Sequence, residues 1–230
     1  MANAVEKVNT IAIADIEAIN TITDANLQAL NTLEFTGVAP DAHTLIKTIT
    51  VPVDESAAVC EIDFIDGTAD VVMDNTYDVY EWVFTNLNPQ TDQAEFTFQV
   101  NAAGGSGFNE TMTTTVVTAY HAEDGAYATI NYNPSNDQGQ GTAYQPLALN
   151  PANDADSGVS GILTFYAPSS GTYVKHFIAR MGYMHEHSDA WDMYTAGYIN
   201  TTTAVDEISF KFSSGNIDSG VIKMYGLAKS

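Results

Sequence analysis

The densest run of chemically capable side chains in this 230-residue chain is Tyr183-Met184-His185-Glu186-His187-Ser188-Asp189-Ala190-Trp191-Asp192-Met193-Tyr194. On an extended strand alternate side chains share a face, so His185 and His187 would offer two imidazoles to one divalent cation, with a third ligand drawn from elsewhere. Tyr183, Trp191 and Tyr194, beside Asp189 and Asp192, combine rings that stack on the C–H face of a sugar with carboxylates that accept its hydroxyls. That mixture suits a glycan. The same residues have plainer uses, because histidines in a polar loop are solvated and most strand aromatics fill a core. Residues 150–157 are rich in hard oxygen donors but lack the closing bidentate Glu of a calcium loop, which leaves ordinary turn chemistry. There is no Gly-x-Ser-x-Gly, His-Glu-x-x-His or phosphate loop, so the chain is expected to be no enzyme and to need no cofactor beyond a possible divalent cation.

The elements that must position these residues are strands. Residues 45–51 form a β-branched run closed by Pro52, and residues 58–65 alternate apolar and acidic side chains up to the Asp66-Gly67 turn. The same period recurs over 77–85, 95–100, 111–120, 161–166, 173–184, 193–199, 204–212 and 221–226. Clusters of Gly, Asn, Asp, Ser and Pro separate the runs. About ten strands with turn signals between them, and no internal helix, predict an all-β, antiparallel, jelly-roll-like β-sandwich over residues 37–230. Within it, Phe210 and Phe212 share a face at period two and are expected to be buried together.

Before the sandwich stands a repeat. Val8-Asn9-Thr10-Ile11, Ile19-Asn20-Thr21-Ile22 and Leu30-Asn31-Thr32-Leu33 recur every eleven residues, and Ile16 and Leu27 occupy equivalent places between them. A period of eleven suits a straight or slightly right-handed helical bundle, whereas the β-branched Asn-Thr-Ile triplets favour short helical pieces alternating with extended residues. In either form the apolar positions Val8, Ile11, Ile16, Ile19, Ile22, Leu27, Leu30 and Leu33 have no core of their own. Residues 1–36 therefore read as an oligomerisation or attachment segment, or as an arm packed on its own domain.

Composition narrows the partners. Seven Lys+Arg against 29 Asp+Glu give a net charge of −22, a field that repels nucleic acid and anionic lipid. Neither a signal-like N-terminus nor an apolar run long enough to span a bilayer is visible, so no membrane insertion is expected. Cys60 is the single cysteine and has no intrachain disulfide partner, so stability must come from packing or assembly.

The run from Tyr77 through Trp82 to Pro89, the Val174-Lys175-His176-Phe177 segment and above all Ile208–Phe212 leading to Ser214-Gly215-Asn216-Ile217-Asp218-Ser219-Gly220-Val221-Ile222-Lys223-Met224-Tyr225-Gly226-Leu227 resemble tailed-phage structural proteins, in particular marine phage fibre proteins. The Asn-Thr-Ile repeat is similar to the Ile-Asn-Gly repeats of phage appendage proteins, with Thr in place of Gly. The resemblance implies a virion protein, located on the tail or the capsid surface. It implies a homo-oligomer, expected to be a trimer, in contact with other virion proteins and with a host-surface glycan. In trimeric phage fibres His-x-His supplies metal ligands from three chains around an axis, which is what the resemblance implies for His185 and His187. A tail fibre or tail-associated receptor-binding component is the leading expectation, and a capsid decoration or head-fibre protein the alternative. Deleting residues 1–36 should lower the assembly mass in sedimentation without unfolding the sandwich, and an unchanged mass would remove the repeat from assembly.

Overall fold

The computed structural model describes residues 43–52 and 59–227, and the repeat with its eight apolar positions lies outside the described residues. These residues are an antiparallel β-sandwich of thirteen strands: β1 (His43–Val51), β2 (Ile62–Ile65), β3 (Val79–Pro89), β4 (Phe96–Ala102), β5 (Met112–Ala122), β6 (Ala128–Tyr132), β7 (Gly139–Gly141), β8 (Gln145–Ala148), β9 (Val159–Tyr166), β10 (Lys175–Met184), β11 (Asp189–Ile199), β12 (Val205–Phe212) and β13 (Ile217–Leu227). The large sheet runs β1-β13-β3-β9-β10-β11-β5-β6, with β7 sharing the edge of β5, and the small sheet runs β2-β12-β4-β8.

Strands from the two halves of the chain pair in nested order: β1 with β13, β2 with β12, β3 with β9 and β4 with β8. Successive pairs alternate between the large and the small sheet. Two excursions interrupt the nesting, β5–β7 after β4 and β10–β11 after β9, and both widen the large sheet beyond β9.

The strands form because their apolar residues fall at period two, which places one set between the sheets. In β10, Phe177, Ala179, Met181 and Tyr183 are buried while His176, Ile178, Arg180 and Gly182 are exposed. In β12, Ile208, Phe210 and Phe212 are buried, and Phe210 is the hub of the core. Its ring centre lies 5.1 to 6.5 Å from those of Phe64, Trp82, Phe84, Phe96 and Phe98, residues drawn from β2, β3 and β4. Each such ring removes large apolar area from water, and the edge-to-face and offset contacts add to that.

Every residue of β4 is buried, against the alternation expected of a sheet with one wet face. The reason is the chain that enters and leaves the first excursion, which brings Glu110, Thr142 and Ala143 over the outer side of β4. Gln99, fully buried, donates through Nε2 to the carbonyls of Glu110, Thr142 and Ala143 at 3.0 to 3.1 Å. Gln145 does the same under β5: its Oε1 accepts from Thr114 Oγ1 at 2.7 Å and its Nε2 donates to Asn136 O at 2.9 Å. Two buried amides thus satisfy backbone groups that the excursion would otherwise leave unpaired.

Truncating the hub should be severe. Phe210→Ala is expected to lower unfolding free energy by about 3–5 kcal/mol, read as a lowered urea midpoint, because five rings cannot all collapse into one cavity. A loss below about 1 kcal/mol would show that the sheets are held elsewhere.

Candidate functional site

The β5–β6 and β10–β11 hairpins end at the same edge of the molecule because β5 pairs with β11. Their tips, residues 123–127 and 185–188, therefore lie side by side. Tyr183, Trp191 and Tyr120 are direct cross-strand neighbours in register, at the few-ångström spacing that brings rings into contact. The Trp191 indole is sandwiched: Tyr120 stacks on it with ring centres 4.6 Å apart and His185 at 4.4 Å, each within 10° of parallel. Tyr127 meets Tyr120 edge-on at 6.0 Å.

The second tip is a tight turn. His185 donates its N–H to Asp189 O at 3.0 Å, Ser188 donates to His185 O at 2.8 Å, and Ser188 takes φ 59° to close the loop. His185 is 6% exposed, and burial depresses its pKa below the ordinary imidazole value against the upward pull of Glu186 and Asp189. Asp189, 4% exposed, accepts a 2.6 Å hydrogen bond from Tyr127 Oη, and that bond is the main cause pushing the exposed Tyr127 phenol up to about 12. Between the tips opens a cavity of about 330 Å³ lined by Glu123, Asp124, Tyr127, His187, Ser188 and Asp189. It offers hydroxyl, imidazole and carboxylate groups with an aromatic stack behind them.

The structure divides the residues singled out from sequence. Tyr183 belongs to the core, its hydroxyl accepting the Leu149 N–H at 2.9 Å. Trp191 is held in its stack. Asp192 and Tyr194 lie on the other face of β11, as alternation requires of residues next to buried Met193. There Asp192 accepts two bonds from Arg180, at 3.0 and 2.7 Å, and the guanidinium sits 4.8 Å over the Tyr194 ring. Asp189 alone of the five lines the cavity between the tips. His185 and His187 occupy the turn and not a strand, with ring centres 5.3 Å apart and the His187 N–H pointing to His185 Nδ1 at 3.3 Å. Among the described residues no three His, Cys, Asp or Glu side chains are grouped to hold a metal ion. Sequence reasoning missed Tyr120 and Tyr127, which lie some sixty residues upstream; the Asp124-Gly125 dipeptide after the 111–120 strand was the available hairpin signal.

A second feature is the outer face of the large sheet, which the small sheet does not cover. Of the ten large apolar side chains most exposed among the described residues, seven lie on it: Leu45, Ile130, Tyr132, Ile162, Tyr166, Ile178 and Tyr194. The charged residues at its regularly paired outward positions are Glu81, Asp192, Arg180 and Lys223, and Asp218 sits at the β13 bulge near its end. Glu81 and Asp192 are paired on the face, with His43 at 3.0 Å and with Arg180 at 2.7 Å. Depressions of about 520 Å³, beside Ala119, Ala128, Ile130 and Ala190, and about 440 Å³, beside Thr115, His176, Ile178 and Tyr198, flank the Arg180–Tyr194 ridge. The chain matches no family model, no curated protein and no solved structure.

Because burial lowers the His185 pKa in the folded protein, the unfolded chain takes up that proton first, and the histidine's contribution to stability falls as pH drops below about 6.5. Burial raises the carboxyl pKa values of Asp63, Glu95 and Asp206, which act with the opposite sign around their own range. Comparison with His185→Gln isolates the histidine: the wild type should lose more urea stability than the variant between about pH 7.5 and 5.5. Parallel pH curves would show that folding does not lower the pKa of the stacked imidazole.

Proposed function

We propose that this protein is a virion structural protein of the tailed-phage kind, placed in a tail fibre or tail-associated position, that binds a host-surface glycan without cleaving it. The observation that carries the reading is the meeting of the two hairpin tips, which sets Tyr127, His187 and Asp189 around an open cavity beside the Tyr120–Trp191–His185 stack. Rings next to hydroxyl and carboxylate groups are what a sugar's two kinds of surface require. Glu123, Asp124 and Asp189 at the cavity, in a chain of net charge −22, favour a neutral glycan, or an acidic one bridged by divalent cations. The resemblance of the closing strands to phage fibre proteins and the nested strand pairing support the same reading. We read that pairing, which alternates between sheets, as the wiring of an eight-stranded jelly roll to which β5–β7 and β10–β11 are added. In this reading residues 1–36 assemble the oligomer, a trimer, or attach it to other virion proteins.

The second reading, a capsid decoration or head-fibre protein with a purely structural role, is favoured by the open, weakly charged sheet face, which suits contact with protein.

Binding of the purified oligomer to host cells and to a glycan array, with and without Ca²⁺, tests the first reading. Tyr127→Ala and His187→Ala alter exposed side chains at the cavity and should each weaken binding at least about tenfold while leaving the fold intact. Absence of host binding by the wild type, together with a place on the capsid shell, would transfer the protein to the second reading.

A further inference from the structure

We propose that the outer face of the large sheet is a self-association surface, whose occupant is the same face of a second copy of this chain. Three observations converge on it. The first is apolar content, since most of the strongly exposed large apolar side chains among the described residues gather on this one face, far more than scattered surface hydrophobics would. The second is charge. Two chains of net charge −22 repel one another over most of their surfaces. At the regularly paired positions of this face two acids meet two bases, and each of these acids already has a partner, so a second copy can approach here without bringing free carboxylates together. A basic partner would be drawn instead to the acidic loops, which leaves the neutral face to a neutral mate.

The third is size and shape. Eight strands at about 4.8 Å spacing and about seven residues long at roughly 3.3 Å per residue give a face of about 34 by 23 Å, near the roughly 800 Å² per partner of a standard interface. The Arg180–Tyr194 ridge stands between the depressions of about 520 and 440 Å³. A two-fold arrangement sets the ridge of one copy into a depression of its mate, with the two sheets stacked face to face as in a sandwich core. Ile162 is the direct cross-strand partner of Arg180, Ile178 stands two residues before Arg180 on the same face of β10, and both lie at the centre of the contact. This surface is additional to the N-terminal repeat and independent of what the hairpin tips bind.

Sedimentation of full-length chains decides it. Ile178→Glu and, separately, Ile162→Lys replace side chains that are 51% and 43% exposed, so the core is untouched, and near-UV circular dichroism checks that each variant is folded. Each variant should associate at least about tenfold more weakly than the wild type and sediment with a lower mass. Folded variants with wild-type mass would overturn the proposal, as would a wild type that is monomeric at about 50 μM. Variants that keep their mass but lose binding to host cells would assign the face to a glycan and overturn it equally.

Discussion

The sandwich depends on Phe210. Its ring touches rings of the large sheet, Trp82 and Phe84, and rings of the small sheet, Phe64, Phe96 and Phe98, and the direct Phe64–Trp82, Phe84–Phe96 and Phe98–Phe177 pairs close the same cluster around it. Two antiparallel sheets have no backbone bonds between them, so their relation is set by side chains alone, and a close-packed aromatic cluster permits few alternative alignments. The nested pairing makes this constraint global: β12 carries Phe210 and pairs with both β2 and β4, while the strand that follows it, β13, crosses to the large sheet and pairs with β1 and β3. Aligning one cluster therefore orients first, last and middle strands together.

The candidate site and the open sheet face are built outward from that cluster. The two excursions add β5, β6, β10 and β11 beside β9, which carries the large sheet past the edge of the small one. Gln99 and Gln145 let the first excursion lie on the core without leaving buried amides and carbonyls unpaired. The extension has two consequences. At its end, neighbouring hairpins bring together residues far apart in sequence, and across its outer surface it exposes a broad face that carries little charge. Among the described residues the acidic side chains lie mostly in loops and strand ends, so net charge and local charge point to different partners for different surfaces.

Much of this was legible in the sequence, for identifiable reasons. All ten strands expected from period-two alternation are present, and Phe210 and Phe212 are buried together. The three strands without a sequence signal, β6, β7 and β8, are short: β6 is exposed throughout, β7 is Gly-Gln-Gly, and β8 contains Pro146. Their strand state comes from tertiary pairing and not from pattern. The aromatic and acidic run at 183–194 was recognisable as a concentration of functional groups, but its division between two faces required the hairpin. Moving the strand boundary to Asp189 places the histidines in a turn, buries Tyr183 and sends Asp192 and Tyr194 to the opposite side. Tyr120 and Tyr127 were invisible as site residues because only the pairing of β5 with β11 brings them there.

The most direct measurement of the central claim, a virion protein that acts through its surfaces, is electron microscopy of an intact particle that locates this chain. The reading predicts the thirteen-strand sandwich at the outer end of a tail fibre or tail-associated assembly, with the β5–β6 and β10–β11 hairpin tips pointing away from the particle. A chain absent from the virion, or one whose hairpin tips are buried against the shell, would contradict it.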